Sequence, residues 1–168
     1  MFTLDMILMT EAMFDTAMDI AQYAHTGQIR RDKSPYITHP MRVYGITQRF
    51  GYPKKTQIAA IIHDAIEDAA DPSEIESLVR RRLPKILPIV QAVTKQKDAI
   101  YSNYVVTIEG PALQVKLSDM LHNLVNNPSS RQKVKYRQAL EMIHDARSGP
   151  PREINPQHWG ELLQIAKG

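Results

Sequence analysis

The stretch AAIIHDAIED, residues 59–68, sets His63, Asp64, Glu67 and Asp68 into an otherwise apolar run. A run of that kind should bury itself, and burying charge is costly unless the charge is paired, hydrogen-bonded or bound to a metal ion. On a helix, one turn links His63 to Glu67 and Asp64 to Asp68, so each imidazole or carboxylate has an acid beside it on the same face. This pattern suits a metal centre with an adjacent proton-transfer group. One geometric objection stands against it: neighbouring helical residues diverge by about 100°, so periodicity alone does not bring His63 and Asp64 to one ion.

Two further donors occupy comparable settings. His39 precedes Pro40 in SPYITHP, and Asp119 lies in VKLSDMLHNL, on a helix whose other face is leucine-rich. The bland alternatives are that His39 caps its helix and that Asp119 is an exposed acid paired with Lys116 at helical spacing. Taken together, two imidazoles and two carboxylates make a mixed nitrogen and oxygen shell suited to manganese, iron or zinc. The chain has no cysteine, which excludes disulfides and thiolate metal sites.

The elements that must position these residues read as helices. Apolar Phe14, Ala17, Met18, Ala21 and Ala24 recur at helical spacing from about Thr10, with Gly27 as a stop. A second helix has Pro40 in its first turn, Val43, Ile46 and Phe50 on its inner face, and Gly51 as terminator. A third spans roughly Lys54 to Glu67 and carries the opening motif. Asp71, Pro72 and Glu74 predict the N-cap, first position and capping box of a fourth. Pro84 breaks the chain before KILPIVQAVTK, where Pro88 is tolerable in a first turn. Residues 96–110 read as loop, except that YSNYVV fits a short strand or a helical turn. PALQVKLSDMLHNLV and RQKVKYRQALEMIHDA are strong helices, and a proline-rich connector over 148–156 leads to a short last helix holding Trp159, Leu162 and Leu163. The expected architecture is an all-α, single-domain helical bundle over 1–168, with its core at about 10–146 and a C-terminal extension over 147–168.

With 168 residues, 43% hydrophobic and 23% charged, the chain is an ordinary globular one, long enough for a real core. The N-terminal segment MFTLDMILMTEAMF is interrupted by Asp5 and Glu11 and reads neither as a signal peptide nor as a membrane span, so a cytoplasmic location is expected. A net charge of +3 is compatible with an anionic small molecule and is weak support for nucleic-acid binding. The basic run Arg80, Arg81, Arg82 and Lys85 reads as a solvated helix face.

AHTGQIRRDKSPYITHP, HDAIED and VKLSDMLHN resemble, in order, successive motifs of the metal-dependent HD superfamily in its RelA/SpoT-type alarmone hydrolase branch. The match runs from about Ala24 to Asn123, with a looser fit around Tyr136. The resemblance implies an α-helical HD fold with one Mn²⁺ (iron or zinc as alternatives) held by His39, His63, Asp64 and Asp119. It also implies hydrolysis of the 3′-pyrophosphate of guanosine tetra- or pentaphosphate to GDP or GTP and pyrophosphate. Glu67 would then orient or deprotonate water and Asp68 assist; as acids near a helix C-terminus they oppose the macrodipole, a locally poor choice that marks a functional site. In the similar family a basic pair at the place of Arg30 and Arg31 sandwiches the guanine base, with lysine more usual at the second position. Lys97 resembles a lysine that meets phosphate, and Asn123 and Tyr136 resemble residues that contact ribose or phosphate. Core packing is the competing reading for Tyr136. His122 reads as a helix hydrogen-bonding residue rather than a fifth ligand, and His25 as a structural or supporting histidine. His144 and His158 receive no role. Fuller members carry a synthetase domain after the hydrolase; by this resemblance the chain is a stand-alone small hydrolase. The partner is expected to be a guanine nucleotide, with no nucleic acid or membrane, and oligomerisation is left open. The alternatives are an HD phosphohydrolase acting on another nucleotide, such as a deoxynucleoside triphosphate, and a catalytically silent nucleotide-binding module.

Overall fold

In the computed structural model, which describes residues 4–96 and 98–167, the chain is all-α. The helices run α1 Leu4–Ala24, α2 Thr38–Arg49, α3 Lys54–Ile61, α4 Ala65–Asp68, α5 Pro72–Arg82, α6 Leu87–Val93, α7 Tyr101–Thr107, α8 Gly110–Val125, α9 Ser130–Ala146 and α10 Pro156–Lys167. Among the described residues the only β feature is an isolated bridge between Ile29 and Pro35. No helix among them is long and apolar enough to cross a membrane.

The leucines read from the sequence put α8 at the centre. Leu113, Leu117, Leu121 and Leu124 are all buried, and α8 packs against α2, α3, α6, α9 and α10. Each such leucine contributes roughly 2 kcal/mol of transfer free energy. Because α8 is covered on most sides, its polar residues are enclosed as well. Thr56 donates to Gln114 Oε1 at 2.8 Å, and Gln114 Nε2 donates to the Glu153 carbonyl at 2.8 Å, so α3, α8 and the C-terminal connector are joined through one satisfied amide. On α1, Ala17, Ile20, Ala21 and Ala24 form the inward stripe, facing α3, α4 and α5.

Helix ends follow the expected chemistry with instructive exceptions. Gly51, at φ +70°, ends α2, where the Gly51 and Tyr52 amides donate back to the Gln48 and Thr47 carbonyls. Asp71 caps α5 by accepting from the Ser73 and Glu74 amides, but the expected capping box is only half formed. Glu74 instead accepts the Tyr23 hydroxyl at 3.0 Å, tying α5 to α1. A complete box forms at α9, between Ser129 and Gln132. YSNYVV folds as helix α7 and packs on α9. Arg80 and Arg82 are solvent-facing and paired with Glu76 and Asp19, as a solvated face requires.

The departure with most consequence is in the third helix. Expected to run to Glu67, it stops at Ile61 and resumes for a single turn as α4. Ile62 (φ −120°, ψ 19°) and Asp64 (φ −108°, ψ 1°) occupy the sparsely populated bridge region rather than the helical one.

Candidate metal centre

That break answers the geometric objection to an adjacent His-Asp pair. Freed from helical phase, His63 and Asp64 turn toward the same interior space, where His39 from the first turn of α2 and Asp119 from the middle of α8 meet them. Asp64 Oδ2 stands 3.6 Å from both His39 Nε2 and His63 Nε2. Asp119 Oδ1 is 3.2 Å from His39 Nε2 and 3.8 Å from His63 Nε2. His39, His63 and Asp119 each offer a donor atom within 4.8 Å of the other two. All four residues are buried.

The donor set fits a cation. His63 Nδ1 lies 2.8 Å from the Ala60 carbonyl, an acceptor, so Nδ1 carries the proton and Nε2 presents its lone pair. His39 Nδ1 shares a proton with His122 Nδ1 at 2.7 Å, which leaves its Nε2 directed at the two aspartates. Lone pairs converging on one buried point repel one another unless a positive charge lies among them. The carboxylates are held in the anionic form. Burial pushes the Asp64 carboxyl upward, but His63, His25 and His39 outweigh it and hold it well below the usual range. Asp119 behaves alike, with Lys116 as the main opposing charge.

The surroundings fix the orientation of these groups. Lys116 Nζ donates to Asp119 Oδ2 at 3.0 Å, and Asn123 Nδ2 donates to Asp119 Oδ1 at 2.6 Å. Burial works against the Lys116 charge, yet Asp119 keeps its ammonium above the ordinary lysine value. His25 Nε2 approaches Asp64 Oδ1 to 3.2 Å; burial lowers the His25 pKa, but the Asp64 carboxylate raises it further. Burial, with Asp64 and Asp68 beside it, pushes the Tyr36 phenol far upward, so it remains a donor. His122 is pushed down to about 4, chiefly by burial.

A cavity of about 200 Å³ opens over the four donors. Glu67 and Asp68 line it from α4, and Arg30, Lys116 and Asn123 line it elsewhere. Arg31 lies in an adjoining groove with Arg30, Asn126 and Asn127, and donates to Gln132 Oε1 at 3.3 Å. Tyr136 is buried beside Asn123 rather than in the cavity wall. Lys97 lies outside the described residues. Reasoning from sequence left Tyr36 out of the cavity altogether and gave Lys116 only as the partner of an exposed acid. The signal for Tyr36 was its place three residues before His39 in SPYITHP.

A helical bundle that gathers two histidines and two aspartates from three separate elements beneath a polar cavity is a metal-centre fold. The chain belongs to the HD domain family, which its residues 17–147 match. It is 30% identical over 141 residues to a probable GTP pyrophosphokinase of Mycobacterium leprae, covering 76% of this chain and 18% of that protein. It is 31% identical over 137 residues to the guanosine-3′,5′-bis(diphosphate) 3′-pyrophosphohydrolase of Haemophilus influenzae, covering 74% and 20%. The chain thus spans about a fifth of the length of these curated relatives. Among solved structures, that of a metazoan ortholog of SpoT that hydrolyzes ppGpp superimposes with a TM-score of 0.74 at 23% identity, covering 93% of this chain and 94% of that one. At that identity the likeness is one of fold.

Proposed function

We propose that this chain hydrolyses the 3′-pyrophosphate of guanosine tetra- or pentaphosphate, giving GDP or GTP and pyrophosphate, at a centre where His39, His63, Asp64 and Asp119 hold one Mn²⁺. The observation that carries this reading is the approach of His39, His63 and Asp119 to within 4.8 Å of one another, with Asp64 3.6 Å from both histidines, under a cavity with acids on one wall and cations on the others. The relatives' names include both a pyrophosphokinase and a pyrophosphohydrolase; a buried His/Asp centre with two exposed carboxylates beside it suits attack by water.

When bound, a divalent ion supplies Lewis acidity and offsets phosphate charge. The residues supply the rest. Glu67, exposed on α4 at the cavity wall, orients the attacking water and takes its proton. Asp68, beside it, assists by proton transfer or hydrogen bonding. Lys116 occupies Asp119 Oδ2 and leaves Oδ1 facing the histidines. The planar Arg30 guanidinium, with Arg31 in the adjoining groove, stacks on the guanine base. Asn123, at the cavity wall, contacts ribose or phosphate. A cytoplasmic site of action goes with such a substrate.

The test is a nucleotide panel incubated with purified protein and Mn²⁺, with and without chelator. Chelator-sensitive release of pyrophosphate from guanosine tetraphosphate is expected. Preferential turnover of a deoxynucleoside triphosphate would replace this substrate with another, and no turnover of any nucleotide would leave a silent binding module.

A further inference from the structure

Tyr36 stands where two of these functions meet. Its hydroxyl lies 2.8 Å from Asp64 Oδ2 and 2.7 Å from Asp68 Oδ2. Asp64 Oδ2 is the same oxygen that faces His39 and His63 at 3.6 Å. The phenol ring is fixed from behind by stacking on His25, with centroids 4.4 Å apart and planes at 26°. The Tyr36 amide donates to the Gln28 carbonyl at 3.0 Å, and Gln28 Nε2 donates to the Asp68 carbonyl at 2.8 Å, so loop and α4 are laced together around it. A phenol has one proton, which it donates to one carboxylate at a time.

We propose that Tyr36 is a positioning residue whose single hydroxyl ties the ligand carboxylate of Asp64 to the assisting carboxylate of Asp68, coupling occupancy of the metal centre to the alignment of Asp68. The inference rests on the function proposed above. A cation held by Asp64 would make its carboxylate a poorer acceptor, and the Tyr36 hydroxyl would then give its proton to Asp68 and hold it at the cavity wall. Without the hydroxyl, Asp64 loses a hydrogen bond that aims it and Asp68 loses its tie to the centre.

Tyr36→Phe keeps the ring and its stack on His25 while removing only the hydroxyl. The full chain is titrated with Mn²⁺ by calorimetry, and kcat and KM for guanosine tetraphosphate are measured at saturating Mn²⁺. Circular dichroism melts establish that the variant is folded. Tyr44→Phe, which removes a hydroxyl bonded to Gln48 on the surface, is the control. For Tyr36→Phe the Mn²⁺ dissociation constant rises about 10- to 100-fold and kcat falls about tenfold or more, with KM little changed. The control matches wild type in both. Wild-type Mn²⁺ affinity in Tyr36→Phe, or wild-type kcat at saturating Mn²⁺, overturns the proposal. If the wild-type chain hydrolyses no guanosine tetraphosphate, the functional reading fails, and the Mn²⁺ titration still decides whether Tyr36 supports the centre.

Discussion

Two carboxylates that share one cavity are expected to respond differently to removal, one losing binding and turnover together and the other turnover alone. Asp119 sits on α8 with both oxygens committed, Oδ2 to Lys116 and Oδ1 toward Asn123 and the two histidines. Asp119→Ala leaves the half-buried Lys116 without its counter-charge and removes a donor from the centre, so Mn²⁺ binding and hydrolysis disappear together. Glu67 lines the cavity from the exposed side of α4, outside the set of four donors. Glu67→Ala therefore keeps Mn²⁺ affinity within a few-fold of wild type while hydrolysis falls by about 100-fold or more, in the range for loss of a general base. Calorimetric Mn²⁺ titration and pyrophosphate release, measured on both variants, check the pair of predictions. Wild-type turnover in Glu67→Ala would remove Glu67 from the mechanism.

Among the elements, the long amphipathic helices were legible because their apolar stripes are regular: Leu113 to Leu124 on α8 and Ala17 to Ala24 on α1 lie inward as their spacing requires. The break at Ile62–Asp64 was not legible, since no glycine or proline marks it and Ala59, Ala60, Ile61 and Ile62 read as uninterrupted helix. It also alters one sequence argument. Glu67 and Asp68 lie in a one-turn helix, so the opposition to a long helix macrodipole that marked them out does not apply. What the sequence did contain was the clash between periodicity and chemistry at His63 and Asp64, and the break resolves that clash. His158, given no role from sequence, turns out to dock α10. Its ring stacks on Phe50 at 4.3 Å and 7°, and Nδ1 accepts the Tyr52 hydroxyl at 2.7 Å. Burial, partly offset by the Leu117 backbone carbonyl, pushes this imidazole down to about 4. The unfolded chain binds its proton near pH 6.5 and the folded chain refuses it until about pH 4, so His158 stabilises the fold above pH 6.5. That contribution, on the order of 3 kcal/mol, is lost as pH falls from 6.5 toward 4. Urea unfolding at pH 7.5 and 5.0 checks it: wild type loses more stability between the two than His158→Leu does. Equal losses would mean that the docking does not depend on a neutral ring.

Across the whole molecule, the candidate metal centre joins α2, the turn after α3 and α8 through polar contacts. Those elements lie far apart in sequence, at His39, at His63 and Asp64, and at Asp119, and the unfolded chain has no such preformed cluster. Ion binding is therefore coupled to folding. A ligand that binds only the folded state stabilises it by about 2.7 kcal/mol at a hundredfold excess over its dissociation constant. For a chain of this size that corresponds to a rise of roughly 5–10 °C in Tm. The gain is reversed by chelator, because removing the ion restores repulsion among the buried carboxylates and imidazole lone pairs. Asp119→Ala, which lacks a donor, shows no Mn²⁺-dependent rise, whereas Glu67→Ala shows the full one. Differential scanning calorimetry of the three proteins with Mn²⁺ and then with EDTA measures this directly. A wild-type Tm that does not respond to Mn²⁺, zinc or iron would mean that the four side chains, however close, hold no ion.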